Sequence, residues 1–202
     1  AFDNIAEMAR LAKEYNLWLH VDAAMAGSAM ILPECRHLWQ GVEESHSVVL
    51  NPHKWLGVVF DCSLFYTPYS EHLIRVMSTN PSYLQTSADG QVTNYRDWGI
   101  PLGRRFRALK LWFLLKSEGA EGLRNRLRRD LENAKWLGEQ VSATPNWKLV
   151  APVQLQTVCV RYDAPDMSEE EVDTWTLEWV ASINNSGQAY LTPAKLKRRW
   201  MV

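Results

Sequence analysis

The sequence predicts an α/β protein in two parts, a larger one over residues 1–122 and a smaller α/β one over residues 123–202. Three observations carry this. A helix pattern, a turn and a compact apolar strand follow one another in the first 22 residues. Two short apolar strands each end on a polar group, Asp22 in one case and Lys54 in the other. Beyond residue 123 a long amphipathic helix, alternating strands and a second helix repeat the rhythm on a smaller scale.

Asp3 is a candidate helix cap, followed by Ile5, Met8, Leu11, Ala12 and Tyr15 at three- and four-residue spacing, and Asn16 suits a left-handed stop. Leu17-Trp18-Leu19-His20-Val21 reads as a strand that breaks at Asp22-Ala23-Ala24, with the small residues Ala26, Gly27, Ser28 and Ala29 behind it. Residues 47–50 form a second buried strand, and residues 63–66 a third stopped by Thr67-Pro68. Lys54 lies between the apolar runs 47–50 and 55–60 and is expected to be drawn out of water. Residues 80–99 are polar and aperiodic, a loop of about 20 residues carrying Tyr83, and loops this long are functional or mobile. Helices are expected over residues 104–116, with Phe106, Leu109 and Phe113 on one face, and through Leu123, Leu127, Leu131, Ala134, Gly138 and Val141. Strands at 147–150 and 155–162 follow, the latter with Val158 and Val160 opposite Cys159 and Arg161. Ser168 with Glu171 is a capping box for a helix to about Asn184, lined by Val172, Trp175, Trp179 and Ile183.

Composition narrows the function. The chain has 202 residues, 47% of them apolar, and ten tryptophans, enough for a buried core. No apolar run reaches the roughly 18 residues of a membrane span, and the first residues lack a signal peptide's basic start, so a cytoplasmic protein with no membrane partner is expected. A net charge of −1 argues against nucleic acid as a partner, because such affinity rests on neutralising many phosphates. Arg124, Arg126, Arg128 and Arg129 then form the solvated face of a helix, while Arg104, Arg105 and Arg107 suggest salt bridges at a subunit contact. Cys35, Cys62 and Cys159 are widely spaced and read as buried free thiols. His37, His46 and His72 have no partner in sequence and carry no assigned role.

Chemistry concentrates where strands end, because ligands of α/β sheets gather at their carboxyl edge. A lysine there has three open uses: a structural ion pair, a phosphate-binding charge, or an amine nucleophile. Asp22 stands 32 residues before Lys54 at another strand end, followed by residues small enough to leave room for a flat ring. An amine and a carboxylate so placed supply what pyridoxal phosphate needs, one for its aldehyde and one for its ring nitrogen. His20, Asp22 and His53 are also possible metal ligands, but the ammonium of Lys54 beside them would repel the ion, and no metal is expected.

The stretches HVDAAMAGSA, LNPHKWLG and DWGIPLGRRFRALKLW resemble the pyridoxal-phosphate-dependent amino-acid decarboxylases of the group containing the aromatic L-amino-acid, histidine and glutamate enzymes, the aromatic branch above all. The resemblance runs over almost the whole chain. It implies part of the large domain of an aspartate-aminotransferase-like (fold type I) enzyme plus a smaller C-terminal α/β domain, incomplete at its end. It implies that Lys54 is the Schiff-base lysine, that Asp22 partners the pyridinium nitrogen, and that Ala24 packs on the ring. Asn51 and His53 would lie by the cofactor and its phosphate, with His20 in support.

Tyr83, in Asn80-Pro81-Ser82-Tyr83-Leu84, matches the mobile-loop tyrosine that returns a proton to the substrate carbon after carbon dioxide leaves. In related aldehyde synthases a phenylalanine stands at that position. Gly103 matches a position lining the substrate ring and leaves room for indole or catechol. The resemblance thus implies decarboxylation of tryptophan, phenylalanine, tyrosine or DOPA, with an aldehyde synthase, a decarboxylase of a smaller amino acid or a catalytically incomplete piece as alternatives. Two departures stand out: Met25 replaces the family's usual tyrosine, and the ring-stacking histidine and Ser/Thr-rich phosphate loop belong upstream of the matching region. A piece of a longer, homodimeric polypeptide is therefore expected.

Overall fold

The computed structural model describes residues 2–202. They divide into two compact units, Phe2–Arg124 and Asn125–Val202.

In the first unit, helix α1 (Ile5–Glu14) is capped by Asn4, whose side chain accepts from the Glu7 amide at 3.1 Å. Asp3 was the expected cap; Asn4 takes the role because its extended backbone sets the side-chain oxygen over the open amides. Asn16 adopts the left-handed conformation expected of a helix stop, with φ of 51°. Of the predicted apolar face only Ala12 is fully buried, and Met8 and Tyr15 stay exposed.

Strands β1 (His20–Asp22) and β2 (Ser47–Leu50) pair in parallel, with His20 opposite Ser47 and Asp22 opposite Val49. Strand β3 (Leu64–Tyr66) joins β2 on its other side, antiparallel, giving the order β1-β2-β3. The crossover from β1 to β2 consists of three 3₁₀ segments, Ala26–Ile31, Pro33–Trp39 and Val42–Glu44. Tight turns suit this small-residue stretch: a Cβ on Gly27 would come within 2.8 Å of the Leu50 side chain, so glycine lets the crossover lie against β2. Gly41, at φ +93°, is equally required, since a side chain there would meet the backbone of Ala6 at 2.5 Å. Ala23, Ala24, Ala29, Leu32, Cys35, Trp39, Leu56, Val58 and Cys62 form the core of this unit.

Helix α2 (Ser70–Met77) precedes the long loop, and helix α3 (Ala108–Ala143) follows it. The two predicted helices are one element interrupted at Gly119, which leaves helical geometry with φ of 67°. The first begins at Ala108, because residues 104–107 are irregular and two of them, Arg105 and Arg107, are committed to ion pairs.

The second unit holds the hairpin β4 (Trp147–Leu149) and β5 (Val160–Tyr162), helix α4 (Glu169–Ser186), and the hairpin β6 (Ala194–Leu196) and β7 (Arg199–Met201). The capping box forms as expected, with Ser168 and Glu171 each bonding the other's backbone amide. Those bonds, the backbone one first, hold the Glu171 carboxyl below its usual range despite some opposing desolvation. The buried line of α4 is Val172, Thr176 and Val180, while Trp175 and Trp179 flank it half-buried. These tryptophans pack with Trp147 and Tyr162, at centroid distances of 4.7 Å for Tyr162–Trp175 and 5.0 Å for Trp147–Trp179. Such pairs add roughly 0.5–1.5 kcal/mol each beyond area burial. Thr176 survives in the core because its hydroxyl donates to the Val172 carbonyl one turn back, at 2.7 Å.

Candidate functional site at the sheet edge

Parallel pairing sends the carboxyl ends of β1 and β2 to the same edge of the sheet. Asp22 is the last residue of β1, and Lys54 lies on the turn that leaves β2. The main chain between them is knitted together at Ala24, whose amide donates to Asp22 Oδ1 at 3.0 Å and whose carbonyl accepts from the Asn51 amide at 3.0 Å. The Ala23 amide bonds Val49, and the Lys54 amide bonds the Asn51 carbonyl at 2.9 Å, closing the turn. One short stretch of backbone therefore fixes the carboxylate and the start of the lysine turn together.

Lys54 itself is exposed, contrary to the expectation that flanking apolar residues draw it out of water. The burial falls on its neighbours: Pro52, Leu56 and Val58 turn inward and the lysine side chain turns out, making no ion pair among the described residues. Asp22 is exposed too, whereas Ala24 is buried beneath the edge.

The remaining residues named from the sequence spread around this edge. His53 is half-buried, with Nδ1 2.7 Å from the Cys62 carbonyl and 3.0 Å from the Cys62 amide, so either tautomer is held. Its ring meets Phe60 edge-on at 5.0 Å. Asn51 Oδ1 accepts from the Ser63 hydroxyl at 2.5 Å. His20 Nδ1 is 2.8 Å from Ser47 Oγ, and its ring stacks on Phe65. Tyr83 and Gly103 lie on exposed backbone farther along the chain; Tyr83 is 77% exposed, and a Cβ on Gly103 would touch nothing within 4 Å.

Several residues of this region were missed by the sequence. Buried Ser47 joins two side chains, accepting from the Trp18 indole at 3.0 Å while meeting His20. His46 has a clear partner after all, for its Nδ1 accepts from the Leu19 amide at 2.9 Å. Within the chain, Arg105 and Arg107 both bind Asp61, the latter at 2.9 Å. Desolvation pushes the Asp61 carboxyl up, but the hydrogen bonds from Arg107 and its own backbone, with the charges of Arg105 and Arg107, outweigh it and hold the group below its usual range. Lys110 Nζ donates to the carbonyls of Val59 at 2.9 Å and Asp61 at 2.7 Å, pinning the same segment. Beside it burial raises the Cys62 thiol, which keeps it protonated and unreactive. Cys35 and Cys62 are buried as expected, but Cys159 is only partly so.

Comparison with known proteins decides the family. The family model for the pyridoxal-dependent decarboxylase conserved domain matches residues 1–163. The chain belongs to that family. Aromatic-L-amino-acid decarboxylase of Drosophila melanogaster is 41% identical to it, over 98% of this chain and 37% of its own length. A tryptophan decarboxylase of Camptotheca acuminata is 38% identical over all of this chain and 41% of its own. The crystal structure of Oryza sativa TDC with PLP and tryptamine matches with a TM-score of 0.92 at 35% identity, covering all of this chain and 42% of that one. The fold is thus that of the pyridoxal-dependent decarboxylases, and this chain spans about two fifths of the length of these relatives. The edge carrying Asp22 and Lys54 lies inside the matched region, as do Tyr83 and Gly103.

Proposed function

We propose that this chain is the lysine- and aspartate-bearing part of a pyridoxal-phosphate-dependent decarboxylase that converts an aromatic L-amino acid to its amine and carbon dioxide. One observation carries the reading: the parallel register of β1 and β2 brings a carboxylate and an unpaired primary amine out at a single sheet edge. That donor set fits the cofactor, offering an amine for its aldehyde and a carboxylate for its ring nitrogen. Asn51 and His53 stand on the lysine turn and would lie by the cofactor and its phosphate, and His20 supports the edge through Ser47.

When bound, the cofactor supplies an electron sink for the carbon that loses its carboxylate. Lys54 would hold the cofactor through its exposed amine. Asp22 would face the ring nitrogen and favour its protonated form through its negative charge. Tyr83, exposed on its loop, donates a proton from its hydroxyl to the substrate carbon after carbon dioxide departs. The loop that bears it also excludes water when it closes. Gly103, with open space where a side chain would stand, suits a bulky ring such as indole or catechol. A cytoplasmic homodimer, with a second chain completing the pocket, is the assembly this reading calls for. Among the described residues no helix is long and apolar enough to cross a membrane.

The deciding experiment is borohydride reduction of the protein with pyridoxal phosphate, followed by peptide mapping. Label on Lys54 is expected; label on another lysine overturns the reading. Tyr83→Phe is expected to keep the cofactor's visible absorbance and lose amine formation, with the aldehyde measured alongside. Unchanged amine output removes Tyr83 from the proton-donor role.

A further inference from the structure

The loop over residues 80–99 is not the slack connection its composition suggests. Its centre is Asp89, whose carboxylate accepts from the Thr86 amide and hydroxyl, both at 3.1 Å, and from the Asn94 side chain at 3.0 Å. The backbone bond from Thr86 comes first among the influences that hold this carboxyl below its usual range, with the Arg96 charge contributing. Gly90, at φ +81°, turns the chain beside it.

Arg96 sits against this centre with only 19% of its side chain exposed. One terminal nitrogen lies 3.3 Å from both Asp89 oxygens, and the other donates to the Leu84 carbonyl at 2.5 Å. Its buried Nε has no hydrogen bond and faces Asp97 Oδ1 at 3.6 Å, within ion-pair range. Asp97 in turn accepts from the Ser78 hydroxyl at 3.0 Å, at the end of α2. A chain of contacts thus runs from α2 through Asp97 and Arg96 to the carbonyl of the residue following Tyr83. The tyrosine side chain is free while the backbone beneath it is held.

We propose that Arg96, oriented by Asp89, is a positioning residue that sets the Ser82–Leu84 turn so that the Tyr83 hydroxyl is presented to substrate; this rests on the reading of Tyr83 as proton donor. A planar guanidinium is required, because one group must satisfy a backbone carbonyl and a carboxylate in two directions at once. A surface ion pair alone would not need both.

The test is a kinetic cycle in the holoenzyme with Arg96→Gln, Tyr83→Phe and the double variant, paired with limited proteolysis of the loop. Arg96→Gln is expected to lower kcat at least tenfold with KM and cofactor absorbance changed less than twofold, and to speed cleavage within residues 80–99. The double variant should be no worse than Tyr83→Phe alone. Unchanged kcat in Arg96→Gln, or losses that multiply in the double variant, overturns the proposal. If Tyr83→Phe keeps full amine output, the proton-donor reading fails by itself; faster loop cleavage in Arg96→Gln then still supports the clamp, and unchanged cleavage overturns it. Should Arg96→Gln fail to fold, Asp89→Asn is expected to give the same pattern at smaller amplitude, and wild-type kinetics in that variant count against the proposal.

Discussion

Lys54 and Arg161 are both cations on short strands or the turns that leave them, and the two units treat them in opposite ways. Lys54 follows β2, stays in solvent and has no ion pair among the described residues. Arg161 sits at the middle of β5, is 6% exposed, and is gripped by Glu169 at 2.8 Å and Asp173 at 3.2 Å. Asp173 also accepts from the Trp200 amide, tying the pair to β7. A cation whose charge is consumed by neighbours has a structural task. One left unpaired where two parallel strands end is open to a ligand, as the proposed function requires of Lys54.

The contrast breaks most sharply at Lys54. Lys54→Ala is expected to abolish borohydride trapping and cut amine formation by about 10³-fold or more. Unfolding free energy should move by less than about 0.5 kcal/mol, as for an exposed side chain with no partner. A loss of several kcal/mol in urea denaturation would make Lys54 as structural as Arg161 and end the comparison.

Arg161→Ala should do the reverse, costing about 3 kcal/mol because half-buried Asp173 is left facing no cation. Combining Arg161→Met with Asp173→Asn is expected to recover part of that loss, since no charge is then stranded while the Trp200 amide keeps its acceptor. Failure to recover would place the cost in lost packing around Arg161.

The sequence made one member of this pair legible and hid the other. Lys54 and Asp22 were visible because polar residues closing apolar runs mark strand ends, and that pattern is local. Arg161 read as one face of an alternating strand, with nothing nearby to say that Glu169 and Asp173 on the next helix would close over it. The same limit hid the pairing of Arg105 and Arg107 with Asp61, which lies more than 40 residues away along the chain. The capping box of α4 was readable since all of its parts sit within four residues, but the 3₁₀ crossover after β1 was not, because short tight turns carry no 3.6-residue period. The exposure of Lys54 is not legible from its neighbours, because Pro52, Leu56 and Val58 turn inward from the same turn that leaves the lysine in solvent.

A smaller effect sharpens how Arg161 is held. Ser168 fixes the first turn of α4, from which Glu169 reaches the arginine, with Asp173 one turn further on. Ser168→Ala should cost about 1 kcal/mol. If the cap serves the ion pair, the same change in an Arg161→Ala background costs measurably less; equal costs in both backgrounds would make cap and pair independent.

The smallest effect belongs to the first unit's own ion pair, where Asp61 meets Arg105 and Arg107 at the surface. Its carboxyl is held below the usual range in the folded chain, so folding favours the ionised form. The contribution is therefore fully present above the unfolded value of about 3.9 and is lost as pH falls through the lower folded value. Asp61→Asn should be less stable than wild type at pH 7, with the gap closing as the solution is acidified from about pH 4 downward. Added salt should narrow the same gap at neutral pH, because Arg105 is largely exposed and its attraction is screened. The Arg161 pair, shielded from solvent on the arginine side, should respond much less to salt. A gap at Asp61 that survives both acid and salt would mean that its neutral hydrogen bonds, and not its charge, hold the segment beside His53 in place.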